Sequence, residues 1–117
     1  KECTVHPNYK AKILKAKDID TIATGKRLGH PVRCLKNQFS RELFKQEYNP
    51  QVTDEQLEQM GAGALRKAAK EGDEKNGSFM AGQCAAMVHQ EQTAQEMIEE
   101  MFAQAEQLLK KSPSYCS

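Results

Sequence analysis

Few residues in this 117-residue chain have the types and spacing that chemistry demands. The three histidines, His6, His30 and His89, lie far apart. The four cysteines, Cys3, Cys34, Cys84 and Cys116, form no CxxC pair, and no histidine stands at ligand spacing from a cysteine pair. A zinc site or a redox motif is therefore not expected. An even cysteine count admits two disulfides, but the wide spacing and the small-residue surroundings of Cys84 favour reduced thiols, as in a cytosolic protein. No carboxylate pair, Ser/His/Asp set or Cys/His pair is placed for catalysis of its own. His30 lies in the turn before Pro31, and His89 reads as structural or exposed.

Two features remain. The first is Met80-Ala-Gly-Gln83. Its small residues let another backbone or a flat ligand come close, and Met80 can either fill a core gap or line an apolar tunnel. Gln83 would add a polar contact there. The second is a basic stretch. Residues 21–41 contain Lys26, Arg27, Arg33, Lys36 and Arg41 and no acid, a local charge of +5 in a chain whose net charge is +1. Guanidinium groups grip phosphate with paired donors, and clustered charge steers acidic partners. Arg27 and Arg33 are thus anion candidates, against the plainer alternative of a solvated basic face. No stacking aromatics interleave these charges, which argues against nucleic acid.

These residues need positioning, and the chain is polar and helix-rich. Charged residues make up 28%, aromatics 6%, and Trp is absent. No run approaches the roughly 20 apolar residues that span a bilayer, and no signal-peptide pattern opens the chain. Pro7 suits the first position of a helix, which spacing of Tyr9, Ile13 and Leu14 extends to Lys17. His6 would then be its cap or a surface residue. Residues 18–24 carry β-branched types, and residues 31–35 read as the return strand of a small hairpin. A helix follows over residues 37–48. Thr53 with Gln56, and Thr93 with Glu96, are capping boxes. Residues 64–70 read as a further helix, 72–77 as a charged turn, and Ser78 as the cap of a tightly packed helix over 80–88. In the last helix Ala94, Met97, Ile98, Met101, Phe102, Ala105, Leu108 and Leu109 form one apolar stripe. That stripe requires a hydrophobic partner surface.

Three phrases in order, Glu2-Cys-Thr-Val-His-Pro-Asn-Tyr-Lys10, Gly29-His-Pro-Val-Arg-Cys-Leu-Lys-Asn37 and Gly77-Ser-Phe-Met-Ala-Gly-Gln83, resemble one family. Lys15-Ala-Lys-Asp-Ile-Asp-Thr21 and Met60-Gly-Ala-Gly-Ala-Leu65 link them. The family is the FMN-dependent enoyl-acyl-carrier-protein reductase II group, sister to the nitronate monooxygenases. The resemblance implies the carboxyl-terminal part of a (β/α)8 barrel enzyme whose strands, flavin-phosphate loops and catalytic histidine lie upstream of Lys1. The fold expected for the segment itself is mainly α with a short β-hairpin. Residues 1–17 would be the helix after the last barrel strand, 18–36 the basic hairpin and 37–90 a helical lid. Residues 91–111 would pack on the barrel, and 112–117 would be a tail.

The implied activity is reduction of trans-2-enoyl thioesters in fatty acid synthesis with FMN and NADPH or NADH. The segment would shape the pocket and be inactive alone. Met80 and His6 would then face substrate, and Gln83, Arg27 and Arg33 cofactor. Implied partners are the barrel and an acyl-carrier-protein thioester, with no nucleic acid or membrane and with a homodimer left open. A nitronate monooxygenase segment and a free-standing helical interaction module are the rival readings.

Overall fold

Pro7 opens α1, Pro7–Lys15, and His6 caps it, its side chain accepting a hydrogen bond from the Asn8 N–H at 3.1 Å. The computed structural model describes residues 1–115. The described chain is mainly helical with one two-stranded antiparallel sheet, and it divides into two units.

In the larger unit, Val5–His89, α1 leads to strands β1, Thr21–Thr24, and β2, Val32–Leu35. Their register pairs Thr21 with Leu35 and Thr24 with Val32. The connecting turn needs Gly25 at φ +80°, where a Cβ would strike the His30 carbonyl oxygen. The Glu47 carboxylate closes this turn by accepting from the Gly25 N–H. Helix α2, Gln38–Glu47, starts from a reciprocal box between Asn37 and Ser40. Helix α3, Asp54–Gly61, starts from the expected box between Thr53 and Gln56. Helix α4, Ala64–Arg66, continues as a π-helical turn, Lys67–Glu71, rather than as the single α-helix expected over 64–70.

Residues 78–88 depart from the expected helix. Leu35 donates its N–H to the Phe79 carbonyl at 2.8 Å, and Ala81 donates to Arg33 at 3.1 Å. Residues 79–81 are therefore an extended addition to the outer edge of β2, with Cys34 bridged to Met80. Ser78 is not a cap. It is buried and donates its N–H to Ala64 at 2.9 Å. A 3-10 helix, Gln83–Met87, is what remains of the expected element. Pairing with β2 satisfies backbone groups that an isolated helix start would leave open.

The core of this unit is small. Tyr9, Leu35, Ala68 and Phe79 form it, with Ile13 and Val5 packed against them. Tyr9 and Phe79 meet as a tilted ring pair with centroids 5.0 Å apart. The Lys12 ammonium lies 5.2 Å from the centre of the Phe79 ring.

The second unit comprises Lys1–Thr4 and the residues from Gln90 onward. Its α5, Ala94–Lys111, has the expected Thr93–Glu96 box and basic last turn, and a 3-10 turn, Ser112–Tyr115, follows. The Glu2 carboxylate accepts from the Ala94 N–H at 3.0 Å. Hydrogen bonds from its own and the Ala94 backbone N–H hold it below the usual carboxylate range. No residue of α5 is buried, and Phe102 and Leu109 are 75% and 72% exposed.

Candidate functional site

Met80 is fixed through its backbone and free at its side chain. Its carbonyl accepts from the Tyr9 hydroxyl at 2.7 Å, and the bridge to Cys34 holds the segment to β2. The side chain is 40% exposed, so it fills no core gap. Gln83, three residues on, is exposed at the start of the 3-10 helix. Together they form an exposed thioether and an amide beside the flat Ala81–Gly82 step, on a rigid base.

His6 sits elsewhere in the unit. Its N–H donates to Ala69 at 2.8 Å, and its ring packs where a Cβ on Gly72 would fall, 2.2 Å from Nδ1. Gly72 has φ +63°, so its missing side chain serves both the turn and the histidine. Asn8 adds a bond to the Gly72 carbonyl at 2.9 Å. No hydrogen bond links His6 to Met80 or Gln83.

The two anion candidates are also separate. Arg27 ties the hairpin turn to the α2–α3 connection. It donates to the Asn49 and Val52 carbonyls at 3.2 and 2.6 Å and pairs with Asp54 at 2.8 Å. All three guanidinium nitrogens thus have protein partners, which makes Arg27 a brace between turns. Arg33 reaches back across the hairpin to the Thr21 hydroxyl at 3.1 Å and is otherwise exposed.

Cys3, Cys34 and Cys84 are free thiols, and Cys116 lies outside the described residues. Burial pushes the Cys34 thiol up, against the opposing pull of a Thr24 hydrogen bond and the Arg33 charge. We therefore predict that iodoacetamide at pH 8 labels Cys3 and Cys84 while Cys34 reacts only after denaturation. Peptide mass spectrometry reads this directly, and early labelling of Cys34 would contradict its placement.

Sequence reasoning missed one constellation. Lys12 and Lys15 of α1 share a cleft of about 270 Å³ with Lys36 and Arg41, beside Asp20, Ala16 and Leu35. The i,i+3 spacing of the two lysines was visible, but their approach to residues 36 and 41 depends on the hairpin fold.

The nitronate monooxygenase family model matches residues 1–104. The chain belongs to that family. It is 40% identical to FabK from Thermotoga maritima, with a TM-score of 0.87 over 95% of this chain and 35% of that one. A methionine-to-alanine variant of that FabK aligns with a TM-score of 0.76 at 34% identity, covering 95% of this chain and 32% of that one. A probable nitronate monooxygenase of Staphylococcus saprophyticus is 30% identical over 104 residues, covering 88% of this chain and 28% of the relative. This member of the nitronate monooxygenase family thus spans about a third of the length of the relatives it matches. Among its described residues no helix is long and apolar enough to cross a membrane.

Proposed function

We propose that this chain is the substrate-side cover and last helix of a cytoplasmic enoyl-acyl-carrier-protein reductase that uses FMN and NADPH or NADH. The supporting observation is the likeness to FabK at 40% identity over 95% of the chain. The remainder of the protein is a (β/α)8 barrel in this reading. The exposed stripe of α5 packs against it, which accounts for a helix with eight spaced apolar positions and no buried residue.

The residues present do not make a flavin-phosphate cradle. The four glycines with positive φ, Gly25, Gly29, Gly63 and Gly72, serve the hairpin turn and helix ends, not a strand-to-helix phosphate loop. Every buried side-chain polar atom among the described residues has a partner. In this reading flavin binding and the hydride steps belong to the barrel. This chain contributes an apolar wall: Met80 lines the acyl pocket, the flat Ala81–Gly82 step admits the chain beside it, and Gln83 fixes a polar end. Closing the pocket excludes water and aligns the thioester.

The whole protein should oxidise NADPH or NADH with crotonyl thioester as acceptor and show no oxygen-dependent turnover of a nitronate. Because Met80 is held through its carbonyl, Met80→Ala should fold normally. It should raise KM for longer enoyl thioesters by about ten-fold, the scale of a buried thioether contact, with kcat little changed. An unchanged KM across chain lengths removes Met80 from the pocket. The second reading, nitronate oxidation, is favoured by the family model over residues 1–104; turnover of nitronate with no enoyl reduction would establish it.

A further inference from the structure

The geometry points to a phosphate-binding site in the cleft between the end of α1, the hairpin and the start of α2. Lys12 and Lys15 come from the last turn of α1, Lys36 follows β2, and Arg41 lies in the first turns of α2. Four cations from three elements converge on about 270 Å³, and Asp20 is the one acid in the wall. Asp20 is engaged, accepting the Lys17 N–H at 2.9 Å.

Helix stability explains only part of this charge. Lysines at the end of α1 suit its dipole, but Arg41 stands near the positive end of α2, which has no acid in its first turn. The Asn37–Ser40 box engages the Asn37 and Ser40 N–H groups and the Lys75 carbonyl takes that of Phe39, so these add nothing to the site. Lys36 gives one N–H to the Ile19 carbonyl at 2.6 Å, and Lys12 rests against Phe79. Among the described residues Lys15 and Arg41 form no ion pair, and both are exposed. Two cations are thus oriented by the fold and two are free to close on a ligand.

A recess of this size takes one phosphate group and part of the chain attached to it, but no folded acidic surface. The occupant is a phosphate ester. The site stands independently of the proposed function, while its two sources, a nucleotide ribose phosphate or a phosphopantetheine arm, rest on that reading.

Inorganic phosphate should bind the chain saturably, observed as amide shifts clustered at residues 12–16 and 36–41, and chloride at matched ionic strength should not reproduce them. The double variant Lys15→Gln/Arg41→Gln should bind about ten-fold more weakly, with an unchanged circular dichroism spectrum. Removing two exposed cations that do not line the cleft, in Lys26→Gln/Lys70→Gln, should leave binding intact. Absence of saturable phosphate binding, or equal loss in both double variants, overturns the site. Competition by 2′,5′-ADP or by phosphopantetheine, whichever is tighter than phosphate, names the source. If phosphate binds and neither competes, the site stands and the assignment of its occupant to either carrier falls.

Discussion

Phe79→Ala is expected to lower the urea midpoint of the Val5–His89 unit by about a third or more. Phe79 has no exposed surface and joins Tyr9, Leu35 and Ala68 in a cluster of only four buried residues. Truncating a buried Phe to Ala costs about 3–5 kcal/mol through lost transfer energy and the cavity left behind. The tilted contact with Tyr9 adds about 0.5–1.5 kcal/mol. At roughly 0.05–0.15 kcal/mol per residue, a unit of this size has about 4–13 kcal/mol in all, so the change removes a large share of its stability. Phe79→Leu keeps most of the volume and should stay folded. A urea melt followed by circular dichroism separates the two, and a Phe79→Ala midpoint matching the wild type would show that this cluster is not the core.

The consequence would reach Met80. The Phe79 carbonyl accepts from Leu35, and the Met80 carbonyl takes the Tyr9 hydroxyl. The ring that fills the core and the thioether proposed to meet substrate are neighbours on one extended segment. Opposite side-chain directions along a strand put one inside and the other out. A helix over residues 80–88 would not have produced that division so simply.

That segment is also where sequence reasoning failed, and the reason is physical. The boxes at Thr53–Gln56 and Thr93–Glu96 close within three residues, so their donors and acceptors are legible from spacing alone. The hairpin was legible from its β-branched residues and from Gly25 and Pro31. Residues 80–88 instead combine small residues of mixed preference, and pairing with residues 33–35, over forty positions away, decides their conformation. Arg27 is a similar case. Its type and basic surroundings suggested an anion, but its partners, Asn49, Val52 and Asp54, come from a turn more than twenty residues later. Local pattern revealed charge and could not reveal what would neutralise it. For His6 the cap was legible from Pro7, while its seat against Gly72 depended on the fold.

Gly77→Ala is the other substitution with a large expected effect, and Gly61→Ala is its control. A Cβ at Gly77 would lie 2.8 Å from both the Ala68 Cα and N and 2.7 Å from the Asp73 carbonyl oxygen. All three are backbone atoms, so no side chain can swing aside. They are also held. Gly77 donates to Asp73 at 2.9 Å, Asn37 donates to the Gly77 carbonyl at 2.7 Å, and Ser78 donates to Ala64 at 2.9 Å. The turn is tightened further by the Asp73 carboxylate. Hydrogen bonds from the Asn76 side chain and backbone, then from the Lys75 backbone, hold it below the usual range. Relief would require moving the π-helical turn away from the strand that carries Phe79, at a cost of about 1–3 kcal/mol or more. Gly61 ends α3 at negative φ with nothing within 4 Å of the added methyl. There alanine should stabilise by about 0.4–1 kcal/mol by restricting the unfolded chain. Opposite shifts in urea midpoint for the same chemical change would tie the effect to the Ala68 contact. A Gly77→Ala protein as stable as wild type would mean that Gly77 stands farther from the Lys67–Glu71 turn than 2.8 Å allows.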